Sequence, residues 1–264
     1  MCGTSVLISN DLVSIIMLSH NDEKFIADSV KSVQTQTYQN WELIFLDDSS
    51  QDDTLSQILN LRGNDERIKV SQSVFHRGKG ISRISALREA QGRWITFLNS
   101  DDIWEPTKLE KQIHFMEENR CGFSYTKHRL IDVESKDMGY EALGPSIVNY
   151  NDMLQCCWPD ALTVMYDANK ARRVQLQFIN ENNEYALFLQ ISKYLDCLLL
   201  DECLAKSRVR NNWYNLMTWR DKLAWRYEVY RQVEKMNPFS AVYRTIVNLI
   251  YTIIKKIKYV KKVG

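Results

Sequence analysis

The chain lacks a charge imbalance: 34 Lys and Arg stand against 33 Asp and Glu, leaving +1 over 264 residues. No global field draws nucleic acid, so nucleic acid is not an expected partner and any basic patch must be local. A long hydrophobic run is missing too. The most apolar stretch, Ile246 to Ile254, is broken by Asn248 and Thr252 and falls well short of the roughly 20 residues a spanning helix needs. The opening MCGTSVLISNDL has neither a positive leader nor an extended apolar core, which predicts no signal peptide or anchor and a cytoplasmic location. The six cysteines, Cys2, Cys121, Cys156, Cys157, Cys197 and Cys203, show no CxxC spacing. That excludes the usual zinc pattern, and a chain this long needs no disulfides to make up for a small core, so reduced packing thiols are expected. Nothing suggests disorder or a repeat array.

What is present is an ordinary globular composition, 45% hydrophobic and 25% charged, enough for one large core with or without a helical appendage. In the first hundred residues, short apolar runs (Val13 to Leu18, Trp41 to Leu46, Ile68 to Val70, Trp94 to Leu98) alternate with stretches of helical spacing (Ile26 to Val33, Asp53 to Leu61, Ser82 to Ala90). The alternation predicts an α/β fold, a parallel sheet covered by helices. A helix over Leu109 to Met116 follows Pro106. Beyond it the rhythm changes. Phe123 to Tyr125, Leu130 to Val133, Leu162 to Tyr166 and Cys197 to Leu200 read as short strands and Tyr185 to Tyr194 as a helix, a second half on the same sheet. From Trp219 the pattern is helical, with Pro238 dividing two helices.

Ligands of open parallel sheets bind outside the carboxyl ends of the strands. Here those ends carry Ser19, His20, Asn21 and Asp22; then Asp47, Asp48, Ser49 and Ser50; then Asn99, Ser100, Asp101 and Asp102. Gathered carboxylates repel one another unless a cation or donors compensate, and Asp101 and Asp102 lack an equal number of basic neighbours in their own segment. A hard divalent cation, Mg2+ or Mn2+, is the economical answer. The plainer alternative is that Asp102 caps the next helix. His76, Arg77, Gly78, Lys79, Gly80 and Arg83 combine close-approach glycines with cations suited to a diphosphate. They form neither a Walker loop nor the dinucleotide fingerprint, and a glycine turn with solvated cations is the bland reading.

The run VSIIMLSHNDEKFIADSVKSVQTQTYQNWELIFLDDSSQDDT, followed by HRGKGISRISALREAQGRWITFLNSDDIWEPTKLEKQIHFM, resembles the nucleotide-binding half of family 2 glycosyltransferases of GT-A fold, especially short bacterial enzymes that build surface polysaccharides. The likeness spans Val13 to Met116 and is traceable to Arg210. It implies a Rossmann-like, mostly parallel sheet flanked by helices, with a C-terminal helical extension. The implied organisation is a domain over 1–215, with a nucleotide-sugar-binding half (13–105) and an acceptor-side half (106–215), followed by a basic helical extension over 216–264. It implies that Asp47 and Asp48 hold the base beside Leu18 and His20, that Arg83 meets the diphosphate, that Asp102 binds the metal and that Asp101 approaches the ribose or metal. The family's usual first acid is Asn99 here, and its usual first-loop Tyr is His20. The second-half acidic motif falls on Asn183 and Glu184, making Glu184 the expected base, with Glu181 as competitor; a first-turn helix acid favoured by the helix dipole is the other reading of Glu184.

The implied reaction is one inverting displacement that moves a sugar from a nucleotide diphosphate donor, UDP-linked by likeness, to a glycan hydroxyl. A nucleotidyltransferase, or a non-catalytic binding subunit, remains the alternative. At the far end Tyr251, Ile254, Ile257 and Val260 recur at helical spacing among Lys255, Lys256, Lys258, Lys261 and Lys262. Such a helix lies in a membrane interface or packs on the body with a solvated basic end, and the family context, with its lipid-linked acceptors, favours peripheral attachment.

Overall fold

A computed structural model describes residues 10–76, 78–171, 174, 183–210 and 219–263. Parallel β1 (Val13–Ser19), β2 (Trp41–Asp47), β3 (Ile68–Gln72) and β4 (Trp94–Phe97) stand in the order β3-β2-β1-β4. Helices α1 (Ile26–Gln34), α2 (Thr54–Arg62) and α3 (Gly78–Glu89) connect them. β1, β2 and β4 are nearly continuous apolar runs because both sheet faces are covered there, whereas the edge strand β3 is only partly buried. Side-chain alternation divides β1 and β2 between two cores: Val13, Ile15, Met17, Leu43 and Phe45 join α1 and α2, whereas Ile16 and Ile44 join Phe97 and the later half.

The second half is built on the same sheet but is mixed in direction. After the short β5 (Ile103–Trp104), α4 (Lys108–Glu118) leads into β6 (Phe123–Ile131), β7 (Asp137–Ala142) and β8 (Ile147–Val148). Then come α5 (Tyr150–Gln155), a 3-10 turn at Ala161–Thr163, β9 (Met165–Asp167), α6 (Asn183–Ser192) and β10 (Cys197–Arg208). β9 runs antiparallel to both β4 and β6 and so joins the halves. The expected strands at Phe123 to Tyr125 and Leu130 to Val133 are one strand, with Val133 beyond its end, and Leu162 to Tyr166 divides into the 3-10 turn and β9. β10 continues eight residues past the expected Leu200, through the charged DECLAKSR, because it pairs with β6 up to Arg208↔Ile131.

The C-terminal segment forms α7 (Trp219–Glu228), a π-helical turn (Val229–Val233), α8 (Pro238–Tyr259) and β11 (Val260–Lys262). Pro238 opens α8, capped by Asn237 Oδ1, which accepts from Ser240 N at 2.9 Å. The segment is bound to the body. Asn248 donates to Tyr185 Oη at 3.2 Å, Tyr185 and Tyr230 hydroxyls meet at 2.9 Å, and Tyr251 and Tyr259 pack edge-on to Trp158. β11 adds an antiparallel edge to β7. The expected apolar stripe is therefore rearranged: Tyr251 turns inward and Val260 belongs to the sheet. The outward face of α8 carries Phe239, Val242, Tyr243, Ile246, Ile250, Ile253, Ile254 and Ile257 instead, all exposed. Among the described residues no helix is long and apolar enough to cross a membrane.

Candidate functional site

Register aligns the carboxyl ends: Ser19 sits beside Asp47, and Asp47 beside Gln72. The two acids of the second strand part company there. Asp47 is fully buried and accepts from Ser50 N at 3.1 Å, from the Ser50 hydroxyl and from Gln72 Nε2 at 3.0 Å, so it shapes the loop. Asp48 looks toward the start of α3: its Oδ2 accepts from Gly78 N at 3.0 Å and lies 3.1 Å from His76 Nδ1. His20 Nδ1 meets the Asp48 carbonyl at 2.8 Å, and the His20 and His76 rings lie 4.5 Å apart. Two rings thus flank the Asp48 corner, and Leu18, next to last in β1, is half-buried. Arg77 lies outside the described residues, as does Cys2, and the Lys79 side chain is not described.

The acids after β4 do not lack cations, contrary to expectation from their own segment. The cations come from the end of β10. Arg210 Nη2 lies 2.7 Å from Asp22 Oδ1, and its Nε is 2.6 Å from Asp101 Oδ2, near enough for an ion pair though not aligned as a hydrogen bond. Arg208 donates its backbone N–H to Asp102 Oδ1 at 2.8 Å and its Nε to the Asp101 carbonyl at 2.9 Å, and both guanidinium groups lie over the Phe25 ring. Asp22 also accepts from Ser19 at 3.0 Å and from the Ser100 hydroxyl, fastening the β1 and β4 ends together.

Asp102 is 2% exposed, and its Oδ2 accepts from Asn99 Nδ2 at 2.7 Å. Burial, and then the charge of Asp101, push its carboxyl up to about 7, against the pull of the Arg208 N–H, Asn99 and Ser207. It does not cap α4, whose preceding residue is Thr107. Among the described residues no three His, Cys, Asp or Glu side chains cluster as a self-sufficient metal cage. The donor set fits a metal of another kind: two adjacent hard carboxylates, one of them buried at a cost that a cation would offset, are what Mg2+ or Mn2+ uses together with substrate phosphates.

Arg83, from the second turn of α3, is 4% exposed, and its Nη2 lies 2.6 Å from Glu184 Oε1. Its Nε is buried with no acceptor among the described residues, an orphaned donor that suits an anionic ligand. Glu184 stands in the first turn of α6 with 28% of its side chain exposed. Glu181 lies outside the described residues, and the Asn183 side chain is not described.

Glu184 also borders a cavity of about 620 Å3 whose wall includes His128, Asp160, Arg226, Lys255 and Lys256. Asp160 lies 3.0 Å from Lys255 Nζ and 3.5 Å from His128 Nε2. A larger cavity, about 990 Å3, opens at the amino ends of β1 and β4 beside Asp11, Gly92 and Arg93 and includes none of the acids above. Sequence reading missed Arg208, Arg210 and the grouping of Asp160 with Lys255 and His128. Following β10 to its true end would have found the arginines, whereas nothing in sequence spacing joins Asp160 to Lys255.

The profile of Glycosyl transferase family 2 matches residues 14–177. A glycosyltransferase named for teichuronic acid biosynthesis, TuaG of Bacillus subtilis, is 35% identical over 234 residues, 88% of this chain and 92% of its own. The Escherichia coli enzyme WfgD, named UDP-Glc:alpha-D-GlcNAc-diphosphoundecaprenol beta-1,3-glucosyltransferase, is 39% identical over 182 residues, 69% of this chain and 70% of its own. Among solved structures, residues 1–349 of Staphylococcus aureus TarS in complex with UDP-GlcNAc superpose with TM-score 0.69 at 20% identity, covering 87% of this chain and 69% of that one. The mannosyltransferase PcManGT of Pyrobaculum calidifontis, in complex with GDP-Man and Mn2+, gives 0.65 at 14% identity, covering 92% and 72%.

Proposed function

The chain belongs to glycosyl transferase family 2, and on that premise we propose that it is an inverting, metal-assisted transferase of bacterial surface polysaccharide synthesis. In this reading it moves a sugar from a UDP-sugar to a hydroxyl of a lipid-linked glycan, as the names of the E. coli relatives suggest. The observation that carries it is the Arg83–Glu184 pair, which puts a buried, partly unsatisfied cation and a half-exposed carboxylate in contact across the two halves of the fold.

Each residue then has one task. His20 and His76 flank the base, whose position is set by the Asp48 corner, and Asp47 holds the loop rigid. Arg83 turns its donors to the diphosphate and stabilises charge developing on the leaving oxygen. As Arg83 is drawn to the diphosphate, Glu184 is released to take the proton of the attacking hydroxyl. One base on the face opposite the leaving group, with no covalent intermediate, gives inversion at the anomeric carbon. Asp101 and Asp102 would hold Mg2+ or Mn2+, which supplies Lewis-acid neutralisation of the diphosphate.

The 1–215 region would be the catalytic domain, with donor and acceptor halves as expected from sequence. The 216–264 region would attach the enzyme peripherally to the inner face of the cytoplasmic membrane through the exposed apolar face of α8, flanked by Lys258, Lys261 and Lys262. A screen of sugar nucleotides that follows nucleoside diphosphate release, with and without a lipid-linked glycan, tests the reading. Acceptor-dependent release from one UDP-sugar is expected, and hydrolysis or silence across the panel would overturn it.

A further inference from the structure

α8 has a second working face. At about 100° per residue, Ala241, Thr245, Asn248, Thr252, Lys255 and Tyr259 fall on the body side, opposite the exposed stripe that ends in Ile253, Ile254 and Ile257. Lys256 falls on the border between the two faces. It is exposed, it lines the cavity that also contains Glu184, and it makes no ion pair among the described residues. In the same cavity wall Lys255 is held by Asp160 at 3.0 Å and by the Cys157 carbonyl at 3.2 Å, and Arg226 is positioned by Asn248 Oδ1 at 2.6 Å. Burial would raise the Asp160 carboxyl, yet Lys255 and His128 hold it below its ordinary range, so it stays an acceptor. The cavity wall thus brings Lys256, at the edge of the apolar stripe, together with Arg226, polar groups and Glu184.

An apolar stripe bordered by a cation that also lines a polar cavity suits a sugar joined to a prenyl chain through a diphosphate: the chain belongs in lipid, the diphosphate at the interface and the sugar in water. We propose that Lys256 and Arg226 form a subsite for the diphosphate of a lipid-linked acceptor, with its sugar in the cavity between Asp160 and Glu184. The cavity volume, about 620 Å3, is that of a small-molecule site. The subsite makes the C-terminal helices part of acceptor selection, because only a diphosphate acceptor would meet both cations. It rests on the transferase reading above.

The test compares two acceptors with the same sugar, a short-chain prenyl diphosphate glycoside and a phosphate-free alkyl glycoside, using the full chain. Lys256→Gln changes an exposed side chain and should fold. The ratio of kcat/KM for the diphosphate acceptor over the phosphate-free one is expected to fall about tenfold in Lys256→Gln, and further in the double variant with Arg226→Gln. An unchanged ratio overturns the subsite. Loss on both acceptors together, in step with weaker sedimentation with anionic vesicles, assigns Lys256 to lipid headgroups instead and also overturns it.

Binding separates this proposal from the function it rests on. With saturating UDP filling the donor site, the wild-type chain should bind the prenyl diphosphate glycoside about tenfold more tightly than Lys256→Gln. That difference without any transfer keeps the subsite and overturns the activity. Equal or absent binding overturns the subsite whatever the turnover.

Discussion

Arg83 Nη2 lies 2.6 Å from Glu184 Oε1, so the cation from the first half of the sheet and the acid from the second neutralise each other across the seam of the fold. Two residues 101 positions apart in sequence are thereby one charge unit. In the proposed mechanism a donor diphosphate would compete with Glu184 for Arg83, tying donor binding to release of the base. Glu184→Gln keeps the shape, cannot accept the proton and relaxes the grip on Arg83. Transfer is expected to fall about 10²- to 10⁴-fold while UDP-sugar affinity, read by calorimetry, is equal or tighter. Near-normal turnover in Glu184→Gln together with a dead Glu181→Gln would move the base to Glu181.

The metal prediction rests on Asp101, Asp102 and the arginine that contacts the first of them. Asp102→Asn preserves the acceptor for the Arg208 N–H but removes the anionic oxygen, so Mn2+-dependent UDP binding is expected to weaken at least tenfold, with the fold retained by circular dichroism. Arg210→Gln has the opposite effect. It removes positive charge 2.6 Å from Asp101 and should tighten binding of Mn2+ alone, followed by electron paramagnetic resonance. If Asp102→Asn binds Mn2+ with UDP as wild type does, these acids are not the metal site.

Stability carries its own pH signature at Lys108, which is fully buried, donates to Gln112 Oε1 at 2.7 Å and lies 4.2 Å from the Trp104 ring. Burial pushes its ammonium down to about 7 from 10.5. The folded state then binds fewer protons than the unfolded chain between these values, so this group's contribution to stability rises with pH from about 7 to 10.5 and is least favourable below 7. The full shift is on the order of 5 kcal/mol, reduced by the cation–π contact, about 2 kcal/mol when desolvated. Lys108→Met leaves Gln112 short of one donor, a cost of about 1–3 kcal/mol, so a net gain of about 1 kcal/mol is expected at pH 6.5. The gain should shrink or reverse by pH 9.5 in thermal melts. A melting-temperature difference independent of pH would refute the neutral-lysine account.

How much of this was legible beforehand follows from the kind of contact involved. β1, β2 and β4 announce themselves as apolar runs because both faces of each are covered, and their acidic ends can be read directly from sequence. β10 does not, because it bulges past Leu200 at exposed Asp201 and half-covered Glu202, and only ladder pairing with β6 from Cys203 to Arg208 carries the strand on through polar residues such as Lys206. Losing the end of that strand hid Arg208 and Arg210, and with them the cations that balance Asp22 and Asp101. The lysines of the last helix were visible as a charge run, but their direction was not: periodicity places Lys255 beside Lys256, and only packing sends the first to Asp160 and leaves the second exposed.

The last prediction concerns the outer face of α8. Eight large apolar residues, from Phe239 at 88% exposure to Ile257 at 77%, follow one another at spacings of one, three or four and form a single stripe along a 22-residue helix. Among the described residues nothing covers them, and the opposite face supplies the packing contacts to Tyr185, Trp158 and Asp160. Exposed Lys258, Lys261 and Lys262 lie at the same end as Ile257, so apolar insertion and attraction to anionic lipid, about 1 kcal/mol per basic residue near the surface, act at one place. Removing the helix would strip the cover from Tyr185 and pull β11 from the sheet, so point changes are the cleaner probe. Ile250→Gln combined with Ile257→Gln alters only the outward face and should leave the melting temperature within a degree or two, while sedimentation with anionic vesicles falls several-fold. Wild-type binding should weaken as salt shortens the screening length from about 10 Å at 0.1 M to 3 Å at 1 M, yet keep an apolar remainder that the double variant loses. Vesicle binding equal in the two proteins at both salts would show that this face meets something other than lipid.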